Sequence, residues 1–197
     1  MNYLIFDTET TGLPLWKNPL SDPRQPHLVQ LAALLCNSDG VVQGKVNEIV
    51  KPEGWDRPAD VAKIHGITNE IANERGNSFS SVLAAFAHLL RQADALVAHN
   101  ISFDAKTMNI AFLRLAGHEM PLSGKQMHCT MRVATPIVKE LHAKPRHAED
   151  YKWPRLAKCM DHFFNEELIG AHNAMVDVQA THKLFFHLKD VEQVIAA

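Results

Sequence analysis

The run Tyr3-Leu4-Ile5-Phe6 leads straight into Asp7-Thr8-Glu9-Thr10-Thr11-Gly12. Four consecutive apolar residues read as a buried strand. On a strand, alternate side chains share a face, so Asp7 and Glu9 point the same way. Two carboxylates about 4 Å apart repel by roughly 4 kcal/mol at an effective dielectric near 20. A fold that buries this strand must bring a cation between them. Hard, oxygen-preferring cations such as magnesium or manganese are the natural occupants.

The remaining pattern supplies a scaffold for that strand. The strand is read as Asn2 to Asp7, followed by an irregular connector, Thr8 to His27, with four prolines and Trp16. Leu28 to Cys36 is apolar throughout except Gln30, as in a central strand covered on both faces. Asn37-Ser38-Asp39-Gly40 is a turn, and Val41 to Val50 a third strand with a bulge at Gly44. The links between these strands imply antiparallel pairing. Two short helices, Ala59 to His65 and Thr68 to Glu74, break at Gly66. Ser78 caps a helix whose stripe is Val82, Ala85, Phe86, Leu89 and Leu90. A strand at Ala95–Ala98, a helix from Phe103 to Ala116 and a strand at Gln126–Thr130 follow. Then come a helix over Val133–Leu141, a charged loop from His142 to Trp153, a helix opened by Pro154 and ending near Phe164, and a last helix from Asn173 to about Val191. Strands separated by helices should be parallel. The class is α/β, a mixed sheet flanked by helices, and 197 residues suit one domain over 1–197.

Composition narrows the partners. The net charge of −2 gives no general basic field for a long polyanion, so any nucleic-acid contact should be local. Lys139 to Lys158 is the exception, with six basic residues against three acids, and could guide a strand electrostatically. Cys36, Cys129 and Cys159 show no Cys-x-x-Cys spacing, which fits a reducing compartment. No run approaches the ~20 apolar residues that span a bilayer. With the first strand starting beside Met1, leaving no room for a signal peptide, the expected location is the cytoplasm.

Asp104 and Asp177 interrupt stripes that should be apolar. Asp104 shares a helix face with Met108, Ala111 and Leu115, and Asp177 with Ala180, Thr181, Leu184 and Leu188. An inward carboxylate costs several kcal/mol unless paired or bound to metal. Each could instead be a favourable charge at an exposed helix start. Taken with Asp7 and Glu9, the four form a ligand set whose formal charge two divalent cations would neutralise.

Phe6-Asp7-Thr8-Glu9-Thr10-Thr11-Gly12, His99-Asn100-Ile101-Ser102-Phe103-Asp104 and His172-Asn173-Ala174-Met175-Val176-Asp177 occur in that order. Together they resemble the three motifs of the DEDDh 3′-to-5′ exonucleases, a family that includes proofreading subunits of bacterial replicative polymerases, ribonuclease T and oligoribonuclease. The resemblance implies a ribonuclease H-like fold with a five-stranded mixed sheet. It implies that Asp7, Glu9, Asp104 and Asp177 hold two magnesium or manganese ions, with His172 as general base. Thr10 and Leu13 would meet the terminal nucleotide, Asn100 and Phe103 its phosphate and sugar, and His65 its base. The substrate implied is the 3′ end of a nucleic acid, single-stranded DNA or short RNA, with a polymerase as a possible partner. Read from the residues alone, Phe103 is a core residue and His65 a loop residue. A non-catalytic binding module on the same fold, and a zinc protein using Cys159 and His162, are the other classes.

Overall fold

The computed structural model describes residues 1–56 and 58–196. Its sheet has the order β3-β2-β1-β4-β5, formed by β1 (Tyr3–Thr10), β2 (Leu28–Cys36), β3 (Val42–Ile49), β4 (Ala95–Ala98) and β5 (Gln126–Cys129). β1 pairs antiparallel with β2, Glu9 opposite Gln30, and β2 antiparallel with β3. β4 runs parallel to both β1 and β5. The strand carrying the two acids is therefore central, and its neighbours cover both edges.

The helices, in chain order, are α1 (Ala59–His65), α2 (Asn69–Arg75), α3 (Phe79–Gln92), α4 (Ile101–Ala116), α5 (Thr130–Val138), α6 (Leu156–Phe164) and α7 (Ala174–Ala196). Strand alternation decides which layer each β1 residue meets. Leu4 and Phe6 belong to the core shared with α3 and α4, where the Phe6 and Phe86 rings lie 5.4 Å apart. Tyr3 and Ile5 belong to the core beneath α7, where Tyr3 meets Phe185 edge-on at 4.9 Å. Ser78 caps α3 as expected, its hydroxyl accepting from the Ser81 N–H. Gly66 ends α1 with φ 74°, a left-handed turn that lets α2 restart at once.

Several boundaries differ from the sequence reading. β1 continues through Thr8, Glu9 and Thr10, because these polar residues still pair with β2. α4 begins at Ile101 rather than Phe103, placing Asp104 in its first turn. Leu115, three turns on, is exposed rather than on the buried face. β5 ends at Cys129, and α5 starts at Thr130 and stops at Val138. Pro154 lies outside α6, which starts at Leu156 behind Arg155. The β2–β3 register shifts between the Leu35–Gly44 and Cys36–Val42 pairs, so the extra residue is Gln43. Gly44 serves another purpose: a Cβ there would come within 2.8 Å of Leu89, so its absence lets α3 close on the sheet.

Candidate active site

The alternation that sorts the core also builds the site. Asp7 and Glu9 continue the α7-facing set, while Thr8 continues the α4-facing set. Thr8 meets Asp104 there: its backbone N–H donates to Asp104 Oδ1 at 3.0 Å and its hydroxyl to the same oxygen at 2.8 Å. Asp104 is 1% exposed. The first turn of α4 is thus clipped to the strand between the two acids. Asn100 precedes that helix in a left-handed conformation, φ 76°, which turns the chain sharply from β4 into α4.

Asp177 arrives from the other layer, in the first turn of α7, at 9% exposure. Its Oδ2 accepts from the backbone N–H of His172 at 2.9 Å. His172 is exposed and left-handed, φ 67°. Ligand atoms of Glu9, His172 and Asp177 lie within 4.8 Å of one another. The start of α7 is held by Gln30, the residue paired with Glu9: its Oε1 accepts from Ala174 N–H at 3.2 Å, and its amide donates to Asn47 Oδ1 at 3.0 Å. Asn173 Oδ1 accepts from Met175 N–H, completing the helix start.

The electrostatics of the four acids oppose their ionising together. Burial, then the charges of Asp104, Asp177 and Glu9, push Asp7 well above the carboxylate range. Burial, then Asp177 and Asp104, push Glu9 up to about 8. Burial raises Asp104 to about 7 against the opposing Thr8 bonds, and raises Asp177 against the bond and charge of His172. Four oxygen-bearing acids that resist ionising together fit a divalent cation chemically, since a hard dication removes both the repulsion and the desolvation cost.

The other sequence candidates differ in burial and local bonding. Thr10 is buried, its hydroxyl donating to Gly12 O at 2.6 Å. Leu13, beyond it, is 78% exposed. Phe103 is half-buried, between core and solvent. His65 is buried at the end of α1 with Nδ1 accepting from Ile67 N–H, while neighbouring Ile64 is exposed. His99, in the second motif, is structural: Nε2 faces the Pro154 carbonyl at 3.0 Å, which can only accept, so Nδ1 receives the Thr130 hydroxyl at 2.9 Å. Burial holds its pKa down to about 4, keeping it neutral. Cys159 is buried under α7 while His162 is exposed and edge-on to Phe163, so these two do not converge on a zinc site. In the basic segment, Arg146 pairs with Asp150, Lys152 with Glu140 and Lys158 with Asp161, which neutralises half of its cations.

The RNase_T exonuclease family model matches residues 4–185, a span that takes in all four acids and His172. The chain belongs to this exonuclease family. It is similar to the PolC-type DNA polymerase III of Streptococcus thermophilus, 29% identical over 190 residues, covering 96% of this chain and 11% of that protein. The chain thus spans a small part of the length of the curated relatives it matches. The fold is similar to E. coli Exonuclease I in complex with a 5cy-dT13 oligonucleotide, TM-score 0.70, 22% identity, covering 96% of this chain and 40% of the other. It is also similar to the zinc-bound form of the E. coli ExoI–ssDNA complex, TM-score 0.68, 22% identity, 98% and 41% covered. The architecture is the ribonuclease H-like fold. No helix among the described residues is long and apolar enough to cross a membrane.

Within this family frame, two supporting residues escaped the motif reading. Thr8 sits inside the first motif but reads as a spacer, and Gln30 reads as a blemish in an apolar strand. A buried amide in such a strand is the signal that could have marked Gln30.

Proposed function

We propose that the chain is a metal-dependent 3′-to-5′ exonuclease, one exonuclease domain over residues 1–197, that releases nucleoside 5′-monophosphates from the 3′ end of single-stranded DNA. The observation that carries this reading is the gathering of Asp7 and Glu9 on one strand face with Asp104 and Asp177, two buried helix-start acids, the last accepting from the His172 N–H. Membership of the exonuclease family supports it, and so does the fold shared with an oligonucleotide-bound Exonuclease I.

Asp7, Glu9, Asp104 and Asp177 would hold two divalent cations, Mg²⁺ or Mn²⁺. When bound, such ions supply the positive clamp for attacking and leaving oxygens in an in-line displacement. The protein's own groups do the rest. His172 takes the proton of the attacking water as its oxygen bonds to phosphorus, and the 3′ oxygen of the penultimate nucleotide leaves. Its left-handed, exposed loop lets the ring reach the water while its N–H keeps Asp177 oriented. The Thr10 backbone receives the terminal 3′ hydroxyl, and Leu13 wedges against the base. Asn100 and Phe103 border the phosphate and sugar, and the His65 segment packs on the terminal base.

A degradation ladder on end-labelled DNA and RNA, single- and double-stranded, tests this. Shortening from the 3′ end with magnesium, lost on chelation, is expected. A metal-independent ladder, or none, contradicts it, and preference for short RNA would move the enzyme to the exoribonucleases. The likeness to part of a PolC-type polymerase supports removal of mispaired 3′ nucleotides beside a polymerase partner. Faster cleavage of mismatched primer ends in the presence of such a polymerase is the expected result.

A further inference from the structure

Trp16 lies in the connector that follows the first motif and is 56% exposed. Leaving so large a ring in water forfeits part of the favourable free energy of burial. The connector does not leave it there loosely. Gln25, itself buried, accepts from Leu15 N–H at 3.0 Å and donates to Leu15 O at 3.1 Å and Pro19 O at 3.0 Å. Lys106 of α4 donates to Leu15 O at 3.1 Å and Trp16 O at 3.2 Å, and its ammonium sits 5.0 Å from the centre of the Trp16 ring. Among the described residues, no carboxylate pairs with Lys106. A mostly exposed aromatic ring is thus fixed beside a cation without an acidic partner.

The position of this pair along α4 gives it a direction. Phe103 and Lys106 lie three residues apart on α4, a step of about 4.5 Å along the axis. Leu15 and Trp16 of the connector lie against Lys106. Lys106 is rotated about 200° from Asp104, so it points away from the acid cluster and cannot serve there. It stands about one turn beyond Phe103, the residue proposed above to border the phosphate and sugar of the terminal nucleotide.

We propose that Trp16 and Lys106 form a subsite for the nucleotide upstream of the 3′ terminus in single-stranded nucleic acid. The inference rests on the exonuclease reading above. The open face of Trp16 stacks the base, and Lys106 meets a neighbouring phosphate. Stacking of this kind accepts any base but needs an unpaired one, so the subsite selects single strands without reading sequence.

The test uses the full chain with magnesium and two substrates. One is a dT10 oligonucleotide; the other is the p-nitrophenyl ester of thymidine 5′-monophosphate, which offers a terminal nucleotide and no upstream one. Trp16→Ala should lower the preference for dT10 over the ester roughly tenfold, through KM. Trp16→Phe should restore most of it. Lys106→Gln should flatten the dependence of log KM on log salt for dT10 by about 0.7. An unchanged preference in Trp16→Ala, or equal slowing on both substrates, overturns the subsite while leaving the nuclease intact. Failure of the unmodified chain on both substrates would instead remove the exonuclease reading and the subsite with it.

Discussion

Asp104 and Asp177 bring the same group to the same cluster from opposite layers, and the protein holds them differently. Asp104 is buried, and both bonds from Thr8 fall on one oxygen, so its position is set by a strand residue on the opposite face from Asp7 and Glu9. Asp177 is tied to the backbone of an exposed, left-handed His172, and that helix start hangs on Gln30. One wall of the site is thus rigid and neutral-bonded. The other couples an acid to the loop that carries His172, whose ring lies within 4.8 Å of ligand atoms of Glu9 and Asp177. From the contrast we infer a division of labour: the α4 side supplies a fixed cation ligand, and the α7 side joins a ligand, Asp177, to His172, the proposed proton acceptor.

That division can be broken from either side. His172→Ala should cut hydrolysis by about 10²–10⁴-fold while dication affinity, measured by calorimetry, stays near that of the unmodified chain. Joint loss of both would put His172 among the ligands instead. Thr8→Val keeps the shape and the N–H but removes the hydroxyl bond to Asp104. Its signature should be a dication affinity weaker by about 10–100-fold, with hydrolysis rescued at high magnesium. If magnesium cannot rescue it, Thr8 does more than orient Asp104.

The paired acids also sharpen the comparison through pH. With Glu9 raised to about 8 and Asp104 to about 7, the metal-free folded chain holds protons that the unfolded chain has released. Its stability must therefore fall as pH rises through that range. His27, held down to about 4 by burial and then Arg114, and His99, held there by burial, act in the opposite sense. Their contribution is complete once unfolded histidines have lost their protons near 6.5. Between about 6.5 and 8 the acids dominate, so chelated protein should melt several degrees lower at the upper end. Magnesium should remove most of that drop, and identical melting across the window would argue against a clustered acid site. The smallest effect should come from Lys144→Glu with Arg146→Glu. Because Arg146 is already paired with Asp150, KM on single strands should move by less than about threefold. A larger change would restore the guiding role that the local charge excess suggests.

Where one short segment carried its own pattern, the chain was legible before its fold was known. β2 and β4 have the limits that their apolar runs predict, because a buried strand needs little beyond hydrophobicity and flanking turns. The acids were legible in part from spacing, which puts Asp7 and Glu9 on one strand face and Asp104 and Asp177 on largely apolar helix stripes, and the family resemblance joined them into three motifs. What stayed hidden depends on partners far along the chain. Thr8, Glu9 and Thr10 look like loop residues until β2 pairs with them. The proline-rich connector looks irregular until Gln25 and Lys106 close on Leu15. Gln30 looks out of place until the start of α7 needs an acceptor. The net positive segment looks like a guide until its cations find neighbouring acids.

The most direct measurement is anomalous diffraction from crystals of the chain grown with manganese. Two peaks enclosed by Asp7, Glu9, Asp104 and Asp177, with His172 nearby but not bound to either, are the predicted result. Absence of ordered manganese among these acids, or side chains turned away from a common centre, would contradict the account.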